Sequence, residues 1–125
     1  MLLVSFLYRI DMDYFNPSEY ACNDGCGFSV MHPYTLEAAN GYRHHIGVPV
    51  KVTSGCRCPS HNKAVGGAPA SWHMPRYKDG AMISWAMDLK VDSPQEAADW
   101  MAVNYPDINV IVYSTFIHID SRNRY

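Results

Sequence analysis

Two imidazoles and a carboxylate stand in separate stretches of this chain. They are His73 in Ser71-Trp72-His73, Asp88 in Ala86-Met87-Asp88, and His118 in Phe116-Ile117-His118-Ile119-Asp120. Neutral imidazole and carboxylate are the ligands that a borderline divalent ion such as Zn²⁺ accepts. Three such ligands leave a fourth position for water, the open arrangement of a catalytic zinc ion, whereas a structural zinc is usually closed by four protein ligands. Spacing alone does not separate this reading from a bland one, in which the histidines lie on the wet side of a sheet and in an ordinary loop.

The elements that must position these residues are legible from periodicity. Trp85, Met87, Leu89 and Val91 fall on one face of an alternating strand, and Ala86, Asp88 and Lys90 fall on the other. On the last strand Phe116, His118 and Asp120 share a face opposite Ile117 and Ile119. If the two strands are neighbours, Asp88 and His118 point into one cleft, with His73 approaching from a loop. Asn16-Pro17-Ser18-Glu19 signals the start of a short helix, which Asn23-Asp24-Gly25 breaks. A second helix is expected from Thr35 to Ile46, ended by Gly47 and Pro49, and a brief strand from Val50 to Thr53. Residues 59–80, with Gly66, Gly67, Pro69, Pro75 and Gly80, read as one long irregular loop. Ser93-Pro94-Gln95-Glu96 reads as a second capping box, opening a helix that reaches about Asn104. Asn109–Tyr113 and Thr115–Asp120 then form a hairpin or a bent strand. The pattern is that of an α+β domain with a small antiparallel sheet and helices packed on one side.

At 125 residues the chain suits a single domain over 1–125, and a hydrophobic fraction of 48% supplies one core. The net charge of −2, without a basic run, argues against nucleic acid as a partner. Met1–Tyr8 is apolar but has no basic flank and no small-residue cleavage site, so it reads as a strand and not as a signal peptide. It is also too short to span a bilayer. Cys22, Cys26, Cys56 and Cys58 could close a zinc or iron site, form disulfides, or stay reduced. His44 and His45 suit the end of a helix, where positive charge meets the dipole. Asn62 is expected to brace its turn and Gly66-Gly67 to supply backbone freedom. His61 carries no functional signal.

The words around the three ligands add a resemblance. Ser54-Gly55-Cys56-Arg57-Cys58-Pro59-Ser60-His61-Asn62, then Val65-Gly66-Gly67, then Ser71-Trp72-His73, Ala86-Met87-Asp88 and His118-Ile119-Asp120 occur in order. This series resembles the M15 family of zinc D-Ala-D-Ala carboxypeptidases and endolysin endopeptidases, which share a fold with the hedgehog signalling domain. The opening Tyr14-Phe15, Glu19-Tyr20 and Cys22 is similar to small phage members.

The resemblance implies one zinc ion on His73, Asp88 and His118, with Arg57 and Ser71 facing the substrate. It implies a metallopeptidase cutting an amide of peptidoglycan stem or cross-link peptides, and a phage lysis enzyme made in the host cytoplasm that acts on the wall; the sequence leaves the oligomeric state open, with a monomer favoured. The sequence departs from the family in two places. Fourteen residues separate His73 from Asp88, so Met74–Ser84 reads as an insertion beside the site and makes Asp79 a rival ligand. Where many members place an acidic general base, three residues before the last His, this chain has Thr115. Asp120 is then the candidate base, or a partner that orients an imidazole. The Thr115 substitution also keeps open a zinc-bearing binding module that has lost catalysis.

Overall fold

In the computed structural model, which describes residues 13–125, the chain runs α1 (Pro17–Tyr20), α2 (Pro33–Ile46), β1 (Lys51–Ser54), α3 (Pro59–Ala64), β2 (Arg76–Lys78), β3 (Ala81–Ile83), β4 (Ala86–Lys90), α4 (Pro94–Asn104), β5 (Asn109–Val112) and β6 (Phe116–Asp120). A 3₁₀ turn, Arg122–Arg124, follows. The strand expected at Met1–Tyr8 lies outside the described residues.

Among the described residues β1, β4, β6 and β5 form an antiparallel sheet in that order. The strands of Asp88 and His118 are therefore neighbours, and Asp88 lies directly opposite His118 in register. Met87, Leu89, Ile117 and Ile119 alternate with them and are fully buried. They join Ala38, Ala39 and Tyr42 of α2 and Ala97 and Met101 of α4 in one hydrophobic core. Burying each large aliphatic side chain contributes roughly 1.5–3 kcal/mol. The period of two thus commits one face to the helices and leaves the other free for chemistry.

Helix α2 begins two residues before the expected Thr35. His32 caps it by accepting the Tyr34 N–H at Nδ1 (3.0 Å), and Pro33 takes the first position. Gly47, at φ 74°, closes it by donating to the Arg43 carbonyl (3.1 Å). At α1 the Glu19 carboxylate accepts the Asn16 N–H (2.8 Å), as its motif requires. The capping box expected at Ser93 does not form: Ser93 sits at φ −127°, ψ 84° and its side chain makes no cap hydrogen bond. The helix nevertheless starts at Pro94, whose ring presets φ, and the Met101 carbonyl accepts the Tyr105 N–H at its end (2.8 Å).

The single irregular loop expected over 59–80 is corrected to structured pieces. Helix α3 starts at Pro59, with the Cys58 sulfur accepting the His61 N–H (3.4 Å). The inserted segment pairs β2 with β3 as a hairpin, turning through Asp79 (φ 47°) and Gly80 (φ 89°). Two successive positive φ angles are the type I′ geometry that Asp-Gly favours, a signal that the surrounding glycines and prolines obscure. Trp85 Nε1 donates to the Arg76 carbonyl (3.3 Å), and the Arg76 guanidinium lies 3.8 Å over the Trp72 ring, which ties the hairpin to the body.

Candidate metal centre

His73, Asp88 and His118 come together on the sheet face opposite the core, their ligand atoms all within 4.8 Å of one another and all three residues buried. His73 Nε2 is 3.2 Å and His118 Nδ1 is 2.9 Å from the same atom, Asp88 Oδ1. The far nitrogen of each ring is fixed by an acceptor. His73 Nδ1 donates to the Gly55 carbonyl (2.6 Å), and His118 Nε2 donates to Asp120 Oδ2 (2.6 Å). In the neutral imidazoles this leaves lone pairs on His73 Nε2 and His118 Nδ1, both aimed at a carboxylate oxygen. Three acceptors cannot converge without a proton or a cation between them. The donor set therefore fits a divalent metal, and the Gly55 and Asp120 contacts are the outer partners that set ligand tautomers.

The charges agree with that geometry. Without a metal, a proton takes the ion's place: burial pushes the Asp88 carboxyl up, yet the hydrogen bonds that His118 and His73 then donate outweigh it and hold the group at about 2. Burial pulls the His118 imidazole down, but the Asp120 and Asp88 carboxylates reverse this and raise it above its ordinary value. Asp120 lies well below the usual carboxylate range: burial opposes ionisation, and bonds from His118 and Arg122 overcome it.

Arg57 is held in a bracket. Its Nε donates to Ser54 Oγ (3.0 Å) and its Nη1 to Asn62 Oδ1 (3.2 Å), while Nη2 stands 4.0 Å from Asp88 Oδ2. Asn62 is fixed in turn by donating Nδ2 to the Ala68 carbonyl (3.0 Å). A Cβ at Gly67 would collide with Asn62 Oδ1, so this position needs glycine for close approach. A bulge between Val52 and Ser54 brings Ser54 opposite Asp88. The words Ser54-Gly55, Arg57, Asn62 and Gly67 are thus parts of one device that aims a guanidinium at the Asp88 carboxylate.

The ligands open onto a cleft of about 570 Å³. Trp72 lines one part of it, Ile111, Tyr113 and Phe116 another, and Arg57, Ser71 and Arg122 add polar groups. Tyr113 and Phe116 stack face to face, 4.4 Å apart and 7° from parallel. Ser71 Oγ accepts the His73 N–H (3.2 Å), so this residue both lines the cleft and shapes the ligand loop. Asp120 is fully buried behind the His118 ring, bonded by Arg122 through Nε and Nη2 and by Asn109 Nδ2 (3.3 Å). Asp79 is exposed at the hairpin tip, its Oδ2 accepting from Lys78 Nζ (2.8 Å), and is absent from the ligand group. Thr115 is exposed outside the cleft lining. Sequence reading missed Gly55, Asn109 and Arg122: a backbone carbonyl carries no sequence signal, and the other two act only across strand and turn contacts.

Among the described residues no helix is long and apolar enough to cross a membrane. No curated protein and no solved structure gives a significant match to the chain. The sequence profile described as Peptidase M15 matches residues 12–120, and the α+β architecture fits the hedgehog/DD-peptidase-like fold. The match spans the Arg57 bracket and the three convergent side chains His73, Asp88 and His118, and on it the chain belongs to the Peptidase M15 family.

Proposed function

We propose that the chain is a zinc metallopeptidase that hydrolyses an amide bond in peptidoglycan stem or cross-link peptides, with the zinc ion on His73 Nε2, Asp88 and His118 Nδ1. The carrying observation is the convergence of two imidazole lone pairs and one carboxylate oxygen at the floor of an open cleft. A zinc ion held there would supply Lewis acidity, of the kind that polarises a carbonyl and lowers the pKa of bound water from about 15.7 to near 7.

The chain's own groups supply the rest. Arg57, pinned at Nε and Nη1, presents Nη2 to a substrate carboxylate or to the oxyanion that develops on the carbonyl. The Arg57 guanidinium favours acidic peptides such as wall stems, which end in carboxylates, while Arg122 is paired with Asp120. Trp72 and the Tyr113–Phe116 stack offer apolar walls that exclude water from the reacting bond. Asp120 is a positioning residue in this reading: it keeps the proton of His118 on Nε2 and so keeps Nδ1 free as a ligand. Ser71 shares the substrate-facing wall and holds the backbone of His73. The substrate class places the work of the protein at the cell wall, as for a phage lysis enzyme.

One observation favours a second reading, a zinc-bearing binding module without turnover. Among the described residues Asp88 is the one carboxylate lining the cleft, and Thr115 stands where an acid would be expected. Amine release from purified peptidoglycan, measured with the zinc-loaded protein on several wall types, decides between them. Release that disappears in His118→Ala supports the peptidase. Zinc bound one-to-one in this cleft, with no release from any wall, supports the binding module.

A further inference from the structure

Cys22, Asp24, Cys26 and Cys58 form a second group of ligand atoms, again all within 4.8 Å of one another. Three come from the turn between Cys22 and Cys26, and the fourth precedes α3. Cys56, the remaining cysteine, is excluded: it is buried elsewhere, its sulfur against the Val30 carbonyl (3.4 Å). The four cysteines of the sequence therefore divide into three that cluster and one apart, and the fourth member of the cluster is a carboxylate that spacing rules did not mark.

The turn is shaped for the group. Gly25 (φ 76°) and Gly27 (φ 89°) take left-handed conformations, and the Cys22 N–H donates to the Phe28 carbonyl (2.8 Å) to close the loop. Asp24 Oδ1 accepts the Cys26 N–H (2.9 Å), and Asp24 Oδ2 lies 3.0 Å from Cys58 Sγ. Backbone N–H groups also point at the sulfurs, Cys58 N at Cys22 Sγ and His61 N at Cys58 Sγ, both at 3.4 Å. These contacts fix where the two sulfurs sit and turn them as acceptors toward the cluster. In a tetrahedral zinc site with Zn–S near 2.3 Å, neighbouring ligand atoms lie about 3.8 Å apart. The cluster brackets that spacing, from 3.0 Å between Asp24 Oδ2 and Cys58 Sγ to no more than 4.8 Å.

We infer that Cys22, Asp24, Cys26 and Cys58 hold a second, structural divalent metal ion, zinc by the softness of three thiolates. With four protein ligands the site is closed, so the ion staples and does not catalyse. Binding ionises the three thiols and releases their protons to solvent. What it staples is specific. Cys58 adjoins Arg57, and the Cys56 N–H donates to the Tyr20 carbonyl (2.8 Å), so the ion clamps the segment that carries Arg57 and the Gly55 carbonyl onto the turn after α1.

The test measures bound metal by elemental analysis on the full chain purified with zinc under reducing conditions, with Co²⁺ substitution read by absorption. The expected result is two zinc ions per chain, one retained in His118→Ala and one retained in Cys26→Ser. Cobalt in the wild type then shows thiolate-to-metal charge-transfer absorption, which survives His118→Ala. This cobalt readout needs no cysteine variant and stands even if Cys26→Ser fails to fold; Asp24→Asn, a milder change, should weaken zinc retention at this site alone. A wild type without the charge-transfer band overturns the inference. So does a native mass lower by a pair of hydrogens, which identifies a disulfide. Loss of zinc from the histidine cleft alone leaves the inference standing and instead removes the peptidase reading.

Discussion

The two ligand clusters of this protein are built in opposite ways. His73, Asp88 and His118 come from a loop and two paired strands, are buried, and have outer partners in Gly55 and Asp120. Cys22, Asp24 and Cys26 come from one short turn, with Asp24 and Cys26 exposed and Cys58 half-buried. The first is set by long-range register and would leave an ion with a position facing the cleft; the second is set by local chain geometry and would surround an ion with four protein ligands. An ion in the first can meet substrate, and an ion in the second can only fasten chain to chain. Two imidazoles and a carboxylate beside a cleft suit a reactive ion, whereas three thiols and a carboxylate in a tight turn suit a staple.

Breaking the reactive cluster should have the largest effect. His118→Ala is expected to abolish both zinc in the cleft and amine release, while the cysteine-bound ion stays, as checked by metal content and hydrolysis together. Retention of both ions in that variant would mean that the cleft site is misplaced. Arg57→Lys keeps the charge but loses the fork. It should lower kcat/KM about 10²–10³-fold with zinc content unchanged, and a drop of less than tenfold would remove Arg57 from the reacting bond.

Asp120→Asn separates a positioning residue from a base. Loss of an outer partner costs about 10–100-fold in metal affinity, so activity should recover as zinc is raised; a deficit that excess zinc does not repair would make Asp120 the proton carrier. Gly67→Ala pushes on Asn62 and through it on Arg57. A cost of roughly 1–3 kcal/mol in stability, read by denaturant unfolding, is expected from such overpacking.

The smallest effect is on the pH dependence of the metal-free protein. His118 has a raised value, so its stabilising contribution is complete below the ordinary 6.5 and fades as pH rises through the raised one. Asp88 is depressed from 3.8 to about 2, so its contribution is complete above 3.8 and fades as pH falls toward 2. Thermal melting without metal should therefore peak between those two ordinary values. Added zinc should carry the plateau to higher pH, because the ion replaces the proton between the ligands. A melting temperature that climbs steadily from pH 6 to 8 without metal would contradict the hydrogen-bonded histidine.

Legibility differed by region for a physical reason. The alternation of Met87, Leu89, Ile117 and Ile119 announced both strands and the face they bury, because a period of two is written into local sequence. The hairpin β2–β3 was hidden, since strands of three residues set among turn formers such as Pro75, Asp79 and Gly80 look like loop until pairing is known. The Ser93 box failed for a related reason: a capping motif states what a side chain can do, and the entering backbone decides whether it does.

By itself the sequence determined the ligand types, the Arg57 motif and the two faces of the central strands, since each depends on residue identity and near-neighbour spacing. Only the tertiary structure decided that Asp88 stands opposite His118, that Asp120 lies behind the ring and not in the cleft, and that Asp24 completes the three cysteines while Cys56 stays apart. Those facts depend on strand register and on the packing of distant segments, and contacts between residues tens of positions apart leave no periodic trace in a single chain.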